Sequence, residues 1–474
     1  MVYTFTFPEV RPKGGHSVRN ERKTMNKSHP RFKRKPRFLL VLAVAAGLAP
    51  FPSAAQDDVI SLENAIQMAL TRNERAIQAT ERIATAEAKV MRARASFLPT
   101  LNVTGNYTRR PFEVNRIIGN QIFIVQSYNA LSGAARFSMS LFNSSNIPTL
   151  RQANLDRISE ENTSADSRRK LTFEVSNAFI ATLGIEQVLE ASKHRLDYAK
   201  QALEAARARY AAGLVSVNDV TRAELEYASA EMGMTQVNGQ RETTWLQLGY
   251  LLDDAAILQK KLLPPEFLFK AAAETSMTVE QLIDQAQNRR LDLKSLRWHA
   301  KAQHALVLDP SLRYLPSLTF TGQYTYTNEA GLTGKNTNWN VGLSMSWSVF
   351  DGLTRNADYQ ERTANAYMSD LEVKSSERKV ELDVRGAFVT LNNARASLKL
   401  ASVAYEVAKR NAAETAELYR QGLAQALQVA DANVRLFEAE VGFVQARYNL
   451  GIAYLNLESA LGLDPIGKEP KLVY

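Results

Sequence analysis

The side chains that most often carry out chemistry in proteins are sparse in this sequence. Beyond residue 55 there are three histidines, His194, His299 and His304, and the last two stand five residues apart, a poor spacing for one face of a helix. No G-x-S-x-G, Walker or H-E-x-x-H motif occurs, and the chain has no cysteine. The sequence therefore predicts no enzyme, no cofactor and no metal site, and it excludes disulfides and thiol ligands.

Two glycine-containing turns offer a different kind of chemistry, the binding of ions. They lie in Y-A-A-G-L-V-S-V-N-D-V (210–220) and Y-R-Q-G-L-A-Q-A-L-Q-V (419–429). In the first, Ser216 and Asp219 form an S-x-x-D pattern, which is typical of a helix N-terminus and contributes about 0.5–1 kcal/mol there. A carboxylate at such a tip could also line a pore, where it would favour cations. Spacing alone leaves both interpretations of Asp219 open.

The helices and strands that would position these tips begin after a basic N-terminal segment. The first 55 residues hold eleven Lys and Arg against two acidic residues, and the rest of the chain has equal numbers of each sign. The formal charge of +9 therefore predicts no nucleic-acid partner. Twelve apolar residues at 38–49, too few for a spanning helix, precede small residues up to Ala55. Residues 1–55 are predicted to be a signal peptide, and we expect Met25 to be the true start.

Two similar stretches, 217 positions apart, show that the remaining chain is a tandem repeat. S-F-L-P-T-L-N-V-T-G-N-Y-T (96–108) returns as R-Y-L-P-S-L-T-F-T-G-Q-Y-T (313–325). Proline disfavours helix in the residue before it and suits the first position of a strand. Pro99 and Pro316 therefore each predict a switch from helix to strand. An additional proline, Pro310, predicts that the helix before the second switch kinks or stops early.

Paired prolines in K-K-L-L-P-P-E-F-L-F-K mark the break between the repeats. The first repeat is predicted at 56–265, a linker at 266–276 and the second repeat at 277–474. Each repeat opens with apolar residues at helical spacing. From about 146 to 211 and from about 354 to 420 there is almost no helix-breaking residue, so each repeat is expected to contain a helix of about 100 Å that returns after a glycine turn.

After each proline switch the apolar period becomes two, which predicts a β-hairpin in each repeat. A polar loop is expected to join its two strands. One face is apolar and aromatic and the other carries small polar groups, a pattern that matches strands facing lipid on one side. The predicted strands are 99–108, 135–142, 316–326 and 338–350, and the aromatic residues expected to face lipid are Tyr107, Tyr324, Trp339 and Trp347.

Four strands cannot close a barrel, because the smallest known barrels have about eight. A lone four-stranded sheet would expose both its edges and its apolar face. We therefore expect several chains to share one barrel of 8, 12 or 16 strands, and the residues alone do not choose among these totals. The predicted fold class is mainly α with membrane β: two tandem repeats, each with a long helical hairpin and a two-stranded β-hairpin.

At this level of detail the chain resembles the TolC family of outer-membrane efflux proteins. The resemblance runs from S-L-E-N-A-I-Q-M-A-L to A-L-G-L-D-P and rests on the order of short motifs, among them M-S-L-F-N and M-S-W-S-V-F-D-G after strands. It implies a homotrimer with a 12-stranded barrel in the outer membrane of a Gram-negative bacterium and an α-barrel in the periplasm. It also implies a periplasmic adaptor and an inner-membrane transporter as partners, with drugs, toxins or proteins passing outward.

The resemblance also implies a periplasmic gate at the helix tips. The family's acidic gate positions fall on Asp219 and Asp431, and its gate tyrosine falls on Tyr419. Its outer aspartate is Gln428 here, and its linking arginine is Ala424. The acidic ring is therefore expected to be thinner than in the family, and the resting closure to be weaker or to rest on other residues.

The turns at the tips, Gly213-Leu214 and Gly422-Leu423, are the expected adaptor-docking positions. The competing class is a periplasmic coiled-coil adaptor or an adhesin-like rod, which would also use long alanine-rich hairpins. Such a rod has no need of four strands with an aromatic, lipid-facing side. The expected function is an outer-membrane exit duct that conducts passively and takes its energy from a partner.

Overall fold

The computed structural model describes residues 59–119, 121–254, 257–274, 277–329 and 334–469. The predicted signal peptide and Met25 lie outside these residues. The helices are α1 (Leu62–Arg72), α2 (Glu74–Ala95), α3 (Asn146–Ala211), α4 (Val217–Leu252), α5 (Glu266–Glu274), α6 (Val279–Arg289), α7 (Leu291–Leu312), α8 (Thr354–Arg420) and α9 (Ala426–Leu461). The strands are β1 (Val59–Ile60), β2 (Thr100–Arg109), β3 (Val114–Ile118), β4 (Gln121–Gln126), β5 (Asn129–Phe142), β6 (Lys261–Leu262), β7 (Ser317–Thr327) and β8 (Thr337–Ser346).

The helices repeat in the same order in the two halves, as the sequence predicts. A short helix and a 22-residue helix lead to each proline switch, and a long helix leaves each strand pair. The long helices α3 and α8 contain 66 and 67 residues, which gives each a length of about 100 Å. Each then turns and returns as a 36-residue helix. Four helices pack side by side in the order α2, α3, α7 and α8.

The four principal strands form one antiparallel sheet in the order β2-β5-β7-β8. Its register places the predicted aromatic residues of the strands on one face: Tyr107 lies opposite Leu131, and Tyr324 lies opposite both Ala135 and Trp339. Opposite residues of paired strands point to the same face. Phe137 and Phe320 pack edge to face on this side, with ring centroids 5.9 Å apart. The other face carries mainly Asn, Ser, Thr and Gln side chains, together with Ala130, Ala134 and Arg136 on β5.

The observed strands differ from the predicted ones in length and number. β5 begins at Asn129 instead of 135, and β8 ends at Ser346, so Trp347 follows the strand and its indole N–H donates to the Tyr314 carbonyl (3.0 Å). The loop between β2 and β5 is not the polar loop expected, because it contains the β3–β4 hairpin. A short parallel pair, β1 with β6, was also not predicted.

Of the two alternatives that Pro310 predicts, an early stop is wrong, because α7 continues through it to Leu312. A proline inside a helix removes one backbone donor. Here only two helical residues follow it, so the loss falls in the last turn. The buried carboxylate of Asp309 holds that turn through ion pairs with Arg313 (2.5 Å) and Arg362 (2.9 Å).

Two hydrophobic clusters surround α9 midway along the helices. One joins Phe179 of α3, Trp245 of α4 and Leu62 of α1, all fully buried. The other joins Leu282 of α6 and Leu391 of α8 to the opposite side of α9. The predicted linker at 266–276 contains α5, which packs against α9. None of the helices in the described part of the chain combines the length and the apolar character that crossing a lipid bilayer requires.

Candidate gate at the helix tips

The two predicted tip turns have the same backbone geometry. Gly213 and Gly422 adopt φ of 71° and 76°, a left-handed conformation that favours glycine at the end of a helix. In each turn the next residue closes the helix: the amides of Leu214 and Leu423 donate to carbonyls five residues earlier, at 2.9 and 2.8 Å. Because the backbone is held this way, the two leucine side chains project into solvent, 74% and 72% exposed.

Asp219 and Gln428 occupy equivalent positions and cap the two returning helices. The Asp219 carboxylate accepts hydrogen bonds from the Ser216 amide (3.1 Å) and hydroxyl (3.0 Å) at the start of α4. The Gln428 side-chain carbonyl accepts from the Gln425 amide (2.9 Å) at the start of α9. Both side chains thus satisfy a backbone donor at a helix N-terminus. Only the first carries a charge.

Asp431 lies one turn further along α9 and has a cationic partner. The guanidinium Nε of Arg435 lies 3.0 Å from its carboxylate, and this hydrogen bond raises the pKa of Arg435. Both side chains are more than half exposed. An exposed pair of this kind is weak in energy, but it places a positive charge beside the carboxylate.

Tyr419 contacts a residue that the sequence did not single out, Arg209 near the end of α3. The guanidinium carbon lies 4.0 Å from the centroid of the tyrosine ring, and an Nη atom lies 3.5 Å from the Tyr419 carbonyl oxygen. A cation over an aromatic face is attracted by the electrons of the ring. Both side chains are partly buried, so water screens the contact only partly. The pair joins the first helical hairpin to the second.

An apolar cleft lies between the two hairpins behind this pair. Asp219 and Tyr419 both border it, whereas Asp431 is not among its lining residues. Small and apolar side chains from α3, α4 and α9 form much of its wall, and Tyr419 is the α8 residue that lines it: the small and apolar ones are Ala199, Ala202, Ala206, Ala223, Leu427, Val429 and Ala430. The structure therefore brings Asp219 and Tyr419 to one place.

Other acidic residues near the tips are already paired within the chain. Glu224 lies 2.7 Å from Arg207, and Glu226 lies 2.8 Å from Arg195. Both contacts join α3 to α4. The two carboxylates that the sequence singled out thus differ in their surroundings: Asp219 is held by neutral donors, and Asp431 by a cation.

The remaining predicted residues lie where the helices meet the strands. Pro99 and Pro316 each immediately precede the first residue of a strand, β2 or β7. The histidines lie on the helices, away from the tips. His299 forms a hydrogen bond with Asp156 (3.1 Å), which raises the pKa of the imidazole.

Sequence comparisons match the chain to a known family along most of its length. The profile of the family described as Outer membrane efflux protein matches residues 65–252 and 282–463. Outer membrane protein TolC of Vibrio cholerae serotype O1 is 26% identical over 399 residues, covering 81% of this chain and 86% of the relative. Outer membrane protein TolC of Escherichia coli K12 is 24% identical over 442 residues, covering 90% and 86%.

The fold is shared with solved channels at low sequence identity. The Campylobacter jejuni CmeC outer membrane channel superimposes with a TM-score of 0.72 at 16% identity, covering 86% of this chain and 87% of that one. The rod alternative does not fit these matches, and the family is one of outer-membrane channels and not of enzymes. With both repeats matched, the chain belongs to the outer membrane efflux protein family.

Proposed function

We propose that three copies of this chain form one continuous duct through the outer membrane and periplasm, which serves as the exit for an inner-membrane transporter. The observation that carries this proposal is the four-stranded sheet, with an apolar face, a polar face and two outer strands, β2 and β8. A single sheet of this kind would leave main-chain groups unpaired in lipid, which costs several kcal/mol for each group. Pairing β2 of one copy with β8 of the next removes that cost.

A closed ring of three copies agrees with the trimer that the family resemblance implies. Head-to-tail pairing of identical edges generates a ring when the rotation closes. Three copies give twelve strands, a barrel wide enough for a polar lumen, whereas two copies give eight, whose interior is filled by side chains. The polar face of each strand would then line a water-filled channel, and the apolar face would contact lipid.

The helix tips are proposed to be the gate of this duct. The Arg209–Tyr419 contact links the two hairpins within each copy and thereby supplies a latch where position 424 holds an alanine. Three copies each of Asp219 and Asp431 would place six carboxylates around the axis and focus a negative potential there. The Arg435 partners would reduce that potential, so cation selectivity is expected to be modest.

The exposed leucines of the tips are proposed to receive a periplasmic adaptor. Leu214 and Leu423 stand on turns fixed by positive-φ glycines, so little conformational entropy is lost when a partner covers them. No Walker motif occurs in the sequence, which fits a passive duct whose energy comes from the transporter.

The oligomer is tested by measuring the mass of the protein extracted from the outer membrane in detergent, by light scattering or native mass spectrometry. We expect the mass of three chains, and a denaturing-gel band that migrates anomalously until the sample is boiled. A monomer, or a protein that does not sediment with the outer membrane, would contradict the proposal.

A further inference from the structure

The β3–β4 hairpin carries an apolar face with no partner in the described structure. Ile117 lies opposite Ile122, and Asn115 lies opposite Ile124, so the three isoleucines share one face. Their exposed fractions are 72%, 68% and 45%. Clustered exposed isoleucines on one face of a hairpin mark an interaction surface better than scattered ones do.

The base of this hairpin is fixed to the segment that follows β7. Arg110, just after β2, forms an ion pair with Glu329, just after β7. The same carboxylate accepts from the Ser127 amide (2.7 Å), and the Arg110 amide donates to the Tyr128 carbonyl (2.8 Å). Both charged side chains are less than one-third exposed. Because both ends of the hairpin are tied down, its apolar face is held in one place relative to the sheet.

The position and length of the hairpin indicate what covers that face. It follows a short connection after β2, the outer strand that pairs with the next copy in the proposed trimer. Twelve strands about 4.8 Å apart and tilted by about 40° close into a barrel of about 12 Å radius. The five residues of β3 span about 17 Å. A hairpin of this length is long enough to reach the axis when it inclines over the mouth, and there it would meet its own copies.

We infer that the isoleucine faces of the β3–β4 hairpins from neighbouring copies pack against one another and narrow the outer mouth of the duct. The occupant of each face is a second copy of this chain, and the inference rests on the proposed trimer. An apolar constriction of this kind resists wetting and so limits ion flow. It would form a second barrier, at the end opposite the helix tips.

Cysteine cross-linking tests this contact without background, because the chain has no native cysteine. Ile117→Cys places a thiol on the apolar face, and Arg116→Cys places one on the opposite face of the same strand, as a matched control. Membranes containing each variant are treated with a mild oxidant and run on a non-reducing gel. We expect Ile117→Cys to give a two-chain band, since three thiols form only one disulfide, and Arg116→Cys to stay single.

Native gels of the same samples distinguish failure of the proposed trimer from failure of the inferred hairpin contact. Loss of the three-chain species in the unmodified protein would overturn the proposed trimer itself. An intact trimer in which Ile117→Cys forms no cross-link, even with a flexible bis-maleimide, would overturn the inference alone. Equal cross-linking of the two variants would overturn it too, because it would show a hairpin without a fixed face.

Discussion

Removing the Arg209 guanidinium should open the resting duct. Arg209→Ala deletes the cation above the Tyr419 ring and leaves the backbone of α3 intact, because alanine is a strong helix former. The pair joins the end of α3 to the end of α8. If the hairpins separate when the gate opens, this contact exists only in the closed state. Its loss then shifts the equilibrium toward the open one.

The size of the shift follows from the strength of one contact and the number of copies. A partly buried cation–π pair is worth about 1 kcal/mol. Three copies that open together lose about 3 kcal/mol, and about 1.4 kcal/mol corresponds to a tenfold change in an equilibrium constant. The ratio of open to closed channels should therefore rise by about 100-fold.

Open probability in a planar bilayer measures that ratio, and two variants control for other causes. Arg207→Ala removes an exposed guanidinium from the same turn of α3, one that pairs with Glu224, and should leave the open probability unchanged. Tyr419→Phe keeps the aromatic face and loses only the hydroxyl, so it should resemble the unmodified protein. Tyr419→Leu should behave like Arg209→Ala.

Unchanged open probability in Arg209→Ala, from protein shown to be folded and trimeric, would refute this latch. Strong opening in Tyr419→Phe would also contradict it, because the closure would then depend on a hydrogen bond of the hydroxyl and not on the ring. An equal response to Arg207→Ala would show a general charge effect.

Three further predictions concern the acidic ring, the docking surface and stability. Arg435→Ala should increase block by trivalent cations from the periplasmic side by a few-fold at most, because the exposed cation beside Asp431 is removed. Leu214→Ser should reduce export in cells by about tenfold, typical of a lost interface anchor, and leave bilayer conductance unchanged. Burial raises the pKa of Glu458 above its ordinary value of 4.5, so the stability that its protonation contributes is full below 4.5 and is lost as pH rises through the raised pKa. Glu458→Gln should therefore stabilise the fold at pH 7 by about 1 kcal/mol.

Each of these has a matched control on the same chain. Asp431→Asn should weaken the block by trivalent cations, whereas Arg435→Ala should strengthen it. Equal block in the two variants would contradict the assignment of Asp431 to the pore. Leu225→Ser changes an equally exposed leucine of α4 away from the turn and should export normally. Thermal melts at pH 4 and pH 7 test the Glu458 prediction. The increase in stability caused by Glu458→Gln should be larger at pH 7. An increase that does not depend on pH would show that ionisation of Glu458 is not its cause.

The long helices and the sheet faces could be predicted because they depend on local patterns. The bounds of α3 and α8 agree with the predicted 146–211 and 354–420, since proline and glycine mark their ends. The alternation in the strands likewise fixes which residues share a face. The early stop predicted at Pro310 was wrong because the effect of a proline depends on its distance from the helix end, and here also on the ion pairs of Asp309.

The contacts of the proposed gate could not be read from the sequence. Arg209 and Tyr419 are 210 positions apart and come together only because both hairpins end at the same level. An arginine near a helix end ordinarily indicates a solvated face. The β3–β4 hairpin was missed because an isoleucine-rich run within a loop has no core to face, and its partner is expected to be another copy.

The most direct test of the gated duct is single-channel conductance of the mature protein in a planar bilayer, with trivalent cations added to each side in turn. We predict a small, modestly cation-selective conductance that is blocked from the periplasmic side only, and that escapes block when Asp219 and Asp431 are both replaced by Ala. Block that persists in that double variant would remove the two carboxylates from the pore. Folded trimers that never conduct, even with Arg209→Ala, would contradict the duct itself.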